Sequence, residues 1–113
     1  MQYLRLHILF IFNVLLLPIT TYAGRVDTVE IYSPSMHKPV RCIIVTPDDY
    51  TSSGKPYPVL YLLHGHSGNY AGWLGDAPQL RGYADTYQML IVCPDGGYDS
   101  WYFDSPVDSS VRY

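Results

Sequence analysis

The first apolar stretch of the chain has no period. Residues 8–19 (ILFIFNVLLLPI) carry one polar side chain, Asn13. After it the pattern breaks into shorter units. Residues 25–33 (RVDTVEIYS) set Val29 and Ile31 against Thr28, Glu30 and Tyr32, the alternation of a half-buried strand. Residues 34–39 (PSMHKP) read as a turn and residues 40–47 (VRCIIVTP) as a second strand, so the pair predicts an antiparallel hairpin. Residues 48–58 (DDYTSSGKPYP) form a polar loop punctuated by glycine and prolines.

The character then changes. Residues 59–64 (VLYLLH) and 89–94 (MLIVCP) are nearly continuous apolar runs, as in strands covered on both faces of a parallel sheet. Between them a helix is expected from about Asp76 to Gln88. Asp76 suits the N-cap and Pro78 the first turn. Leu80, Tyr83, Ala84 and Tyr87 follow the i, i+3, i+4, i+7 spacing of a buried face, and Gly82 weakens the helix slightly. Strand, helix and strand in this order predict a right-handed βαβ crossover. The expected fold class is α/β, an antiparallel hairpin leading into a parallel βαβ unit.

Composition changes this picture at the start of the chain. The opening apolar run is too short for a bilayer span, which needs about 20 residues. Arg5 and His7 precede it and the small residues of TTYA (20–23) follow it. Residues 1–23 therefore read as a signal peptide, cleaved before Gly24. The mature chain, residues 24–113, is expected to be exported, periplasmic or secreted. It would meet the membrane only through the signal peptide before cleavage. The residue immediately after the cleavage point is Gly24, not cysteine, which argues against a lipid anchor.

The whole chain has 7 basic and 10 acidic residues. Losing Arg5 leaves six basic residues against ten acidic, a balance of −4. There is no basic stripe, so nucleic acid is not an expected partner. Twelve tyrosines argue against a disordered tail. Cys42 and Cys93 sit inside apolar runs and read as buried thiols, although export would permit a disulfide. Two cysteines are too few for a cysteine-based zinc site.

Ligands of open α/β sheets meet the carboxyl ends of the parallel strands. Two loops leave those ends: HGHSGNYAGW (64–73) and PDGGYDSWYFDSP (94–106). In the first, Gly65 and Gly68 permit a sharp turn that exposes backbone N–H groups. Hydrolases of the α/β class place one oxyanion-hole donor in the loop after the third strand. His64 reads as a core histidine tying the loop down through hydrogen bonds. A metal site from His64, His66 and Asp95 is the weaker alternative. Ser67 lacks the surrounding Gly-x-Ser-x-Gly of a nucleophile elbow, and no Gly-Lys-Ser/Thr follows to make a phosphate cradle. In the second loop, Trp101 and Tyr102 either wall a pocket or cover the sheet edge. Asp95 could cap a turn or hold the neighbouring loop, and Trp73 could pack beneath both loops.

The segments YPVLYLLHGHSGNYAGW (57–73), APQLRGYAD (77–85) and MLIVCPDGGYDSWYFDSP (89–106) resemble the start of the esterase D family of α/β-hydrolases. That family includes tributyrin-type and feruloyl esterases, S-formylglutathione hydrolases and, more distantly, mycolyltransferases. The resemblance implies a Ser-His-Asp carboxylesterase without cofactor. By that resemblance it would act on small-molecule or polysaccharide-linked esters carrying small acyl, acetyl or feruloyl groups. The resemblance makes His66, the residue after His-Gly, a donor of the oxyanion hole through its backbone N–H. Gly65, Asp95, Trp101 and Tyr102 are the candidate substrate-binding residues.

No Gly-x-Ser-x-Gly occurs in residues 1–113. In the family the nucleophile, acid and base come later in the chain. His7 lies in the signal and His37 in the hairpin turn, so neither is a substitute. The expectation is therefore an incomplete, N-terminal part of an α/β-hydrolase fold that does not turn over ester by itself. A non-catalytic carbohydrate-binding module or an inactive remnant is the alternative. One helix cannot cover both faces of two apolar strands, so the chain alone is expected to be poorly stable.

Overall fold

The computed structural model describes residues 24–112. The expected signal peptide, residues 1–23, lies outside the described residues. The hairpin forms as its alternation predicts: β1 (Arg25–Ser33) pairs antiparallel with β2 (Lys38–Thr46), Val29 opposite Cys42 and Ile31 opposite Val40. The polar loop contains a one-turn helix, α1 (Tyr50–Ser53), closed by Gly54 in left-handed backbone.

The apolar runs become β3 (Val59–Tyr61) and β4 (Leu90–Pro94), which pair parallel. β4 also pairs antiparallel with β2, so the sheet is mixed and its order is β1-β2-β4-β3. β4 is thus central and β3 lies at an edge. Burial follows position in the sheet. Ile91 and Cys93 are buried, whereas Val59, Leu60 and Tyr61 are exposed among the described residues. The exposure of β3 fits the expectation that one helix cannot cover both apolar strands.

The expected helix starts four residues late, and a short helix that was not expected precedes it. α2 (Gly72–Asp76) ends where the sequence pattern placed an N-cap, and α3 (Leu80–Tyr87) begins beyond Pro78. The cause is local. A residue before proline is pushed out of helical backbone, and Ala77 has φ −135° and ψ 72°. α3 buries Leu80 and Ala84 and leaves Tyr83 and Tyr87 exposed. Gln88 closes the helix in left-handed backbone, its N–H donating to Ala84 and Asp85 carbonyls.

The core follows from register. Ile43 faces Cys93 and Val45 faces Ile91 across β2 and β4. Opposed residues share a sheet face, so these four meet Leu80 and Ala84 of α3 in one cluster. Cys42 pairs with Pro94 and therefore lies on the other face from Cys93. Both thiols are free and buried, and their placement on opposite faces leaves no disulfide to form. No described helix is long and apolar enough to cross a membrane.

Candidate active site

The parallel strands β3 and β4 deliver their following loops to the same end of the sheet. Leu62 N–H continues the pairing with Val92 O at 2.9 Å, and Trp73 Nε1 donates to Leu63 O at 3.2 Å. The chain then turns at His64. This histidine is the knot between the two loops. Its ring Nδ1 lies 2.8 Å from Gly65 O, and its Nε2 accepts Gly96 N–H at 2.9 Å. Its backbone N–H donates to the Tyr102 hydroxyl at 3.2 Å, which donates in turn to Pro94 O at 2.9 Å.

Those contacts settle the charge state of the ring. Asp95 Oδ1 lies 3.6 Å from His64 Nε2, within reach of an ion pair. That separation exceeds a hydrogen bond, and Gly96 N–H already occupies the Nε2 lone pair. A nitrogen that accepts carries no proton. His64 is therefore neutral and protonated at Nδ1. Asp95 instead shapes its own loop: its carboxylate accepts Gly97 N–H at 2.9 Å and its N–H donates to Arg41 O at 2.9 Å. The Asp95 side also faces a separate cleft, shared with Glu30, Lys38 and Arg41. The Arg41 guanidinium there is pushed above its ordinary range, chiefly by the Tyr70 hydroxyl and then by Glu30.

His66, Gly65, Trp101 and Tyr102 come together; Asp95, the other candidate, does not line their cleft. With His64 and Tyr98 they line a cleft of about 180 Å³. The His66 imidazole lies between two rings, edge-on to Tyr98 at 5.2 Å and stacked on Trp101 at 5.7 Å. Among the described residues no carbonyl or side chain accepts the His66 N–H. The loop is stapled across the gap by Ser67 N–H to Tyr98 O at 2.8 Å.

The turn differs from the one expected of two glycines. Ser67, not a glycine, takes the left-handed backbone, with φ 61°. A side chain at Gly65 would meet open space, whereas at Gly68 it would come within 3.0 Å of His64 Nδ1. Gly96 is required for a second close approach, because any Cβ there would overlap the Tyr102 ring. Asp99 also lines the cleft, a residue that sequence reasoning did not single out from its loop. His64 and His66 do not converge with Asp95 on one point: the first is spent on backbone and the second on aromatic rings. Among the described residues no group of three metal-ligating side chains gathers.

A mixed sheet entered by a hairpin and closed by a parallel strand pair matches an incomplete α/β-hydrolase fold. The family is more specific. A family model described as "Putative esterase" matches residues 33–112, and the chain belongs to that esterase family. Esterase Rv1288 and Esterase MT1326, both of Mycobacterium tuberculosis, are 41% identical over 68 residues, 60% of this chain. The matched part is 15% of the length of each of those relatives. Among solved structures, a ferulic acid esterase superposes with a TM-score of 0.65 at 24% identity, over 82% of this chain and 39% of its own. An S-formylglutathione hydrolase from Agrobacterium tumefaciens superposes with a TM-score of 0.63 at 19% identity, over 87% and 41% respectively. These likenesses establish the fold.

Proposed function

We propose that this chain supplies the oxyanion side of an exported serine carboxylesterase acting on small acyl, acetyl or feruloyl esters. The supporting observation is the His66 N–H, without a protein acceptor among the described residues and set beside an aromatic-walled cleft. An ester carbonyl placed there, attacked by a serine, develops negative charge on its oxygen. A preorganised N–H aimed at that oxygen stabilises the charge as it forms and needs no reorganisation at that moment. The Trp101 and Tyr98 rings offer apolar faces to the acyl group. In this reading the serine, its histidine base and the orienting aspartate lie outside residues 1–113. The export rests on residues 1–23.

The test uses the full-length gene product, p-nitrophenyl acetate and a fluorophosphonate label. Wild type is expected to hydrolyse the ester and to take up the label at one serine. Proline has no N–H, so His66→Pro removes the donor and is expected to lower kcat about 100–1000-fold while the circular dichroism melt stays intact. A His66→Pro enzyme with wild-type kcat removes the oxyanion role, and a wild type that never labels removes the serine mechanism.

A further inference from the structure

The Gly65–His66 peptide carries both the proposed donor and a carbonyl that is pinned from behind. We propose that His64 is a positioning residue for the oxyanion donor: its neutral ring fixes the plane of the Gly65–His66 peptide. The inference rests on the reading above that His66 N–H is that donor.

The His64 side chain is 6% exposed. A buried imidazole with two bonded nitrogens has one orientation available. Gly96 N–H donates to Nε2, so the single ring proton sits on Nδ1 and is given to Gly65 O at 2.8 Å. Gly68 N–H donates to the same oxygen at 3.1 Å. A trans peptide is planar, and its C=O and N–H point in opposite directions. Holding the Gly65 oxygen on the His64 ring therefore turns the His66 N–H to the opposite side of the peptide, away from that ring.

The clamp is braced on its far side. The Tyr102 ring lies against Gly96, the residue that donates to Nε2. The Tyr102 hydroxyl joins the His64 backbone to Pro94. The β4 loop therefore holds the imidazole, and the imidazole holds the peptide. Asp95 Oδ1, 3.6 Å from Nε2, offers a competing state. An imidazolium would turn a second proton toward that carboxylate and would give up the Gly96 bond.

The experiment again uses the full-length gene product. His64→Leu fills the space without nitrogens and is expected to lower kcat for p-nitrophenyl acetate about 100-fold, the loss seen when one oxyanion donor is misplaced. KM should stay within about threefold, because the ester ground state does not use the donor fully. His64→Asn places an amide N–H near the position of Nδ1 and is expected to recover at least about tenfold of that loss. Nitrogen-15 NMR of the unmodified protein should find the His64 proton on Nδ1 and none on Nε2. Equal kcat losses in the Leu and Asn variants, or a proton on Nε2, would overturn the proposal. Should the wild type hydrolyse no ester, the esterase reading falls by itself. The clamp is then judged by the amide shift and hydrogen exchange of His66, which must change in both variants and less in Asn than in Leu. An unchanged His66 amide in His64→Leu ends it.

Discussion

Trp101 and Tyr102 stand side by side in left-handed backbone, with φ 56° and 53°. For bulky residues that region costs of order 1–3 kcal/mol each. The two are compensated differently. Tyr102 uses its hydroxyl twice and its ring once against Gly96. Trp101 is 73% exposed, with its ring stacked on His66. Opposite outcomes are expected from substitution. Tyr102→Phe leaves a part-buried N–H and carbonyl without their partner and should cost about 1–3 kcal/mol. Trp101→Gly relieves the backbone and should leave the full-length protein no less stable in urea. A Trp101→Gly loss as large as that of Tyr102→Phe would show that the His66 stack matters more than the strain.

The thiols belong to the same scale. Burial pushes the pKa of Cys42 up, with the Asp95 charge adding to it, and burial likewise raises Cys93, with Cys42 adding to it. Both therefore stay protonated at neutral pH and should react with a disulfide reagent only after denaturant is added. The folded state holds these protons more tightly than the unfolded chain. Their contribution to stability is thus full below the ordinary thiol range and is lost as pH rises from there through the raised folded values. A urea midpoint that falls between pH 8 and 10, and falls less in Cys42→Ala, would check the sign. At this scale the sequence shows that His64 ties a loop, since a histidine at the end of a buried strand needs partners. It hides which partners, because they depend on a left-handed Trp-Tyr pair that neither residue type announces.

Among the elements, the strands were legible and the helix boundaries were not. Alternation located β1, and continuous apolar runs located β3 and β4. The single proline that suited a first turn in fact ended one helix and preceded another, through its effect on Ala77. What apolar runs do not report is which strand lies at the edge. That difference has a measurable consequence. Ile91, in central β4, is 1% exposed and Leu60, in β3, is 42% exposed. Ile91→Ala is expected to cost roughly 2–5 kcal/mol, through lost burial and the cavity left behind. Leu60→Ala should cost less, because much of that side chain is already in water. Urea unfolding of both variants distinguishes an edge from a centre.

At the level of the whole molecule, an apolar groove of about 450 Å³ runs between β3 and α3, lined by Leu60, Leu62, Trp73, Tyr83, Tyr87 and Met89 among others. Beside it, the outer edge of β3 has no paired strand among the described residues. Open apolar faces and strand edges promote association. A chain of residues 24–113 is expected to bind a hydrophobic dye strongly and to scatter light as its concentration rises. A sharp, concentration-independent melt from a monomer would contradict that. The fold class was legible at this scale because periodicity reports element type. The mixed pairing was not, since nothing in β2 or β4 states that they lie side by side.

The Tyr102–His64 bridge has a consequence for anyone altering this site. In the reading proposed above, the residues that wall the cleft and the peptide that would meet the carbonyl oxygen are mechanically one part. Selectivity and speed are then set by a common fixture. In the proposed enzyme, reworking the aromatic loop to admit a bulkier acid would then reset turnover of acetate esters as well, so variants chosen for a new preference should be sorted on two esters from the first round.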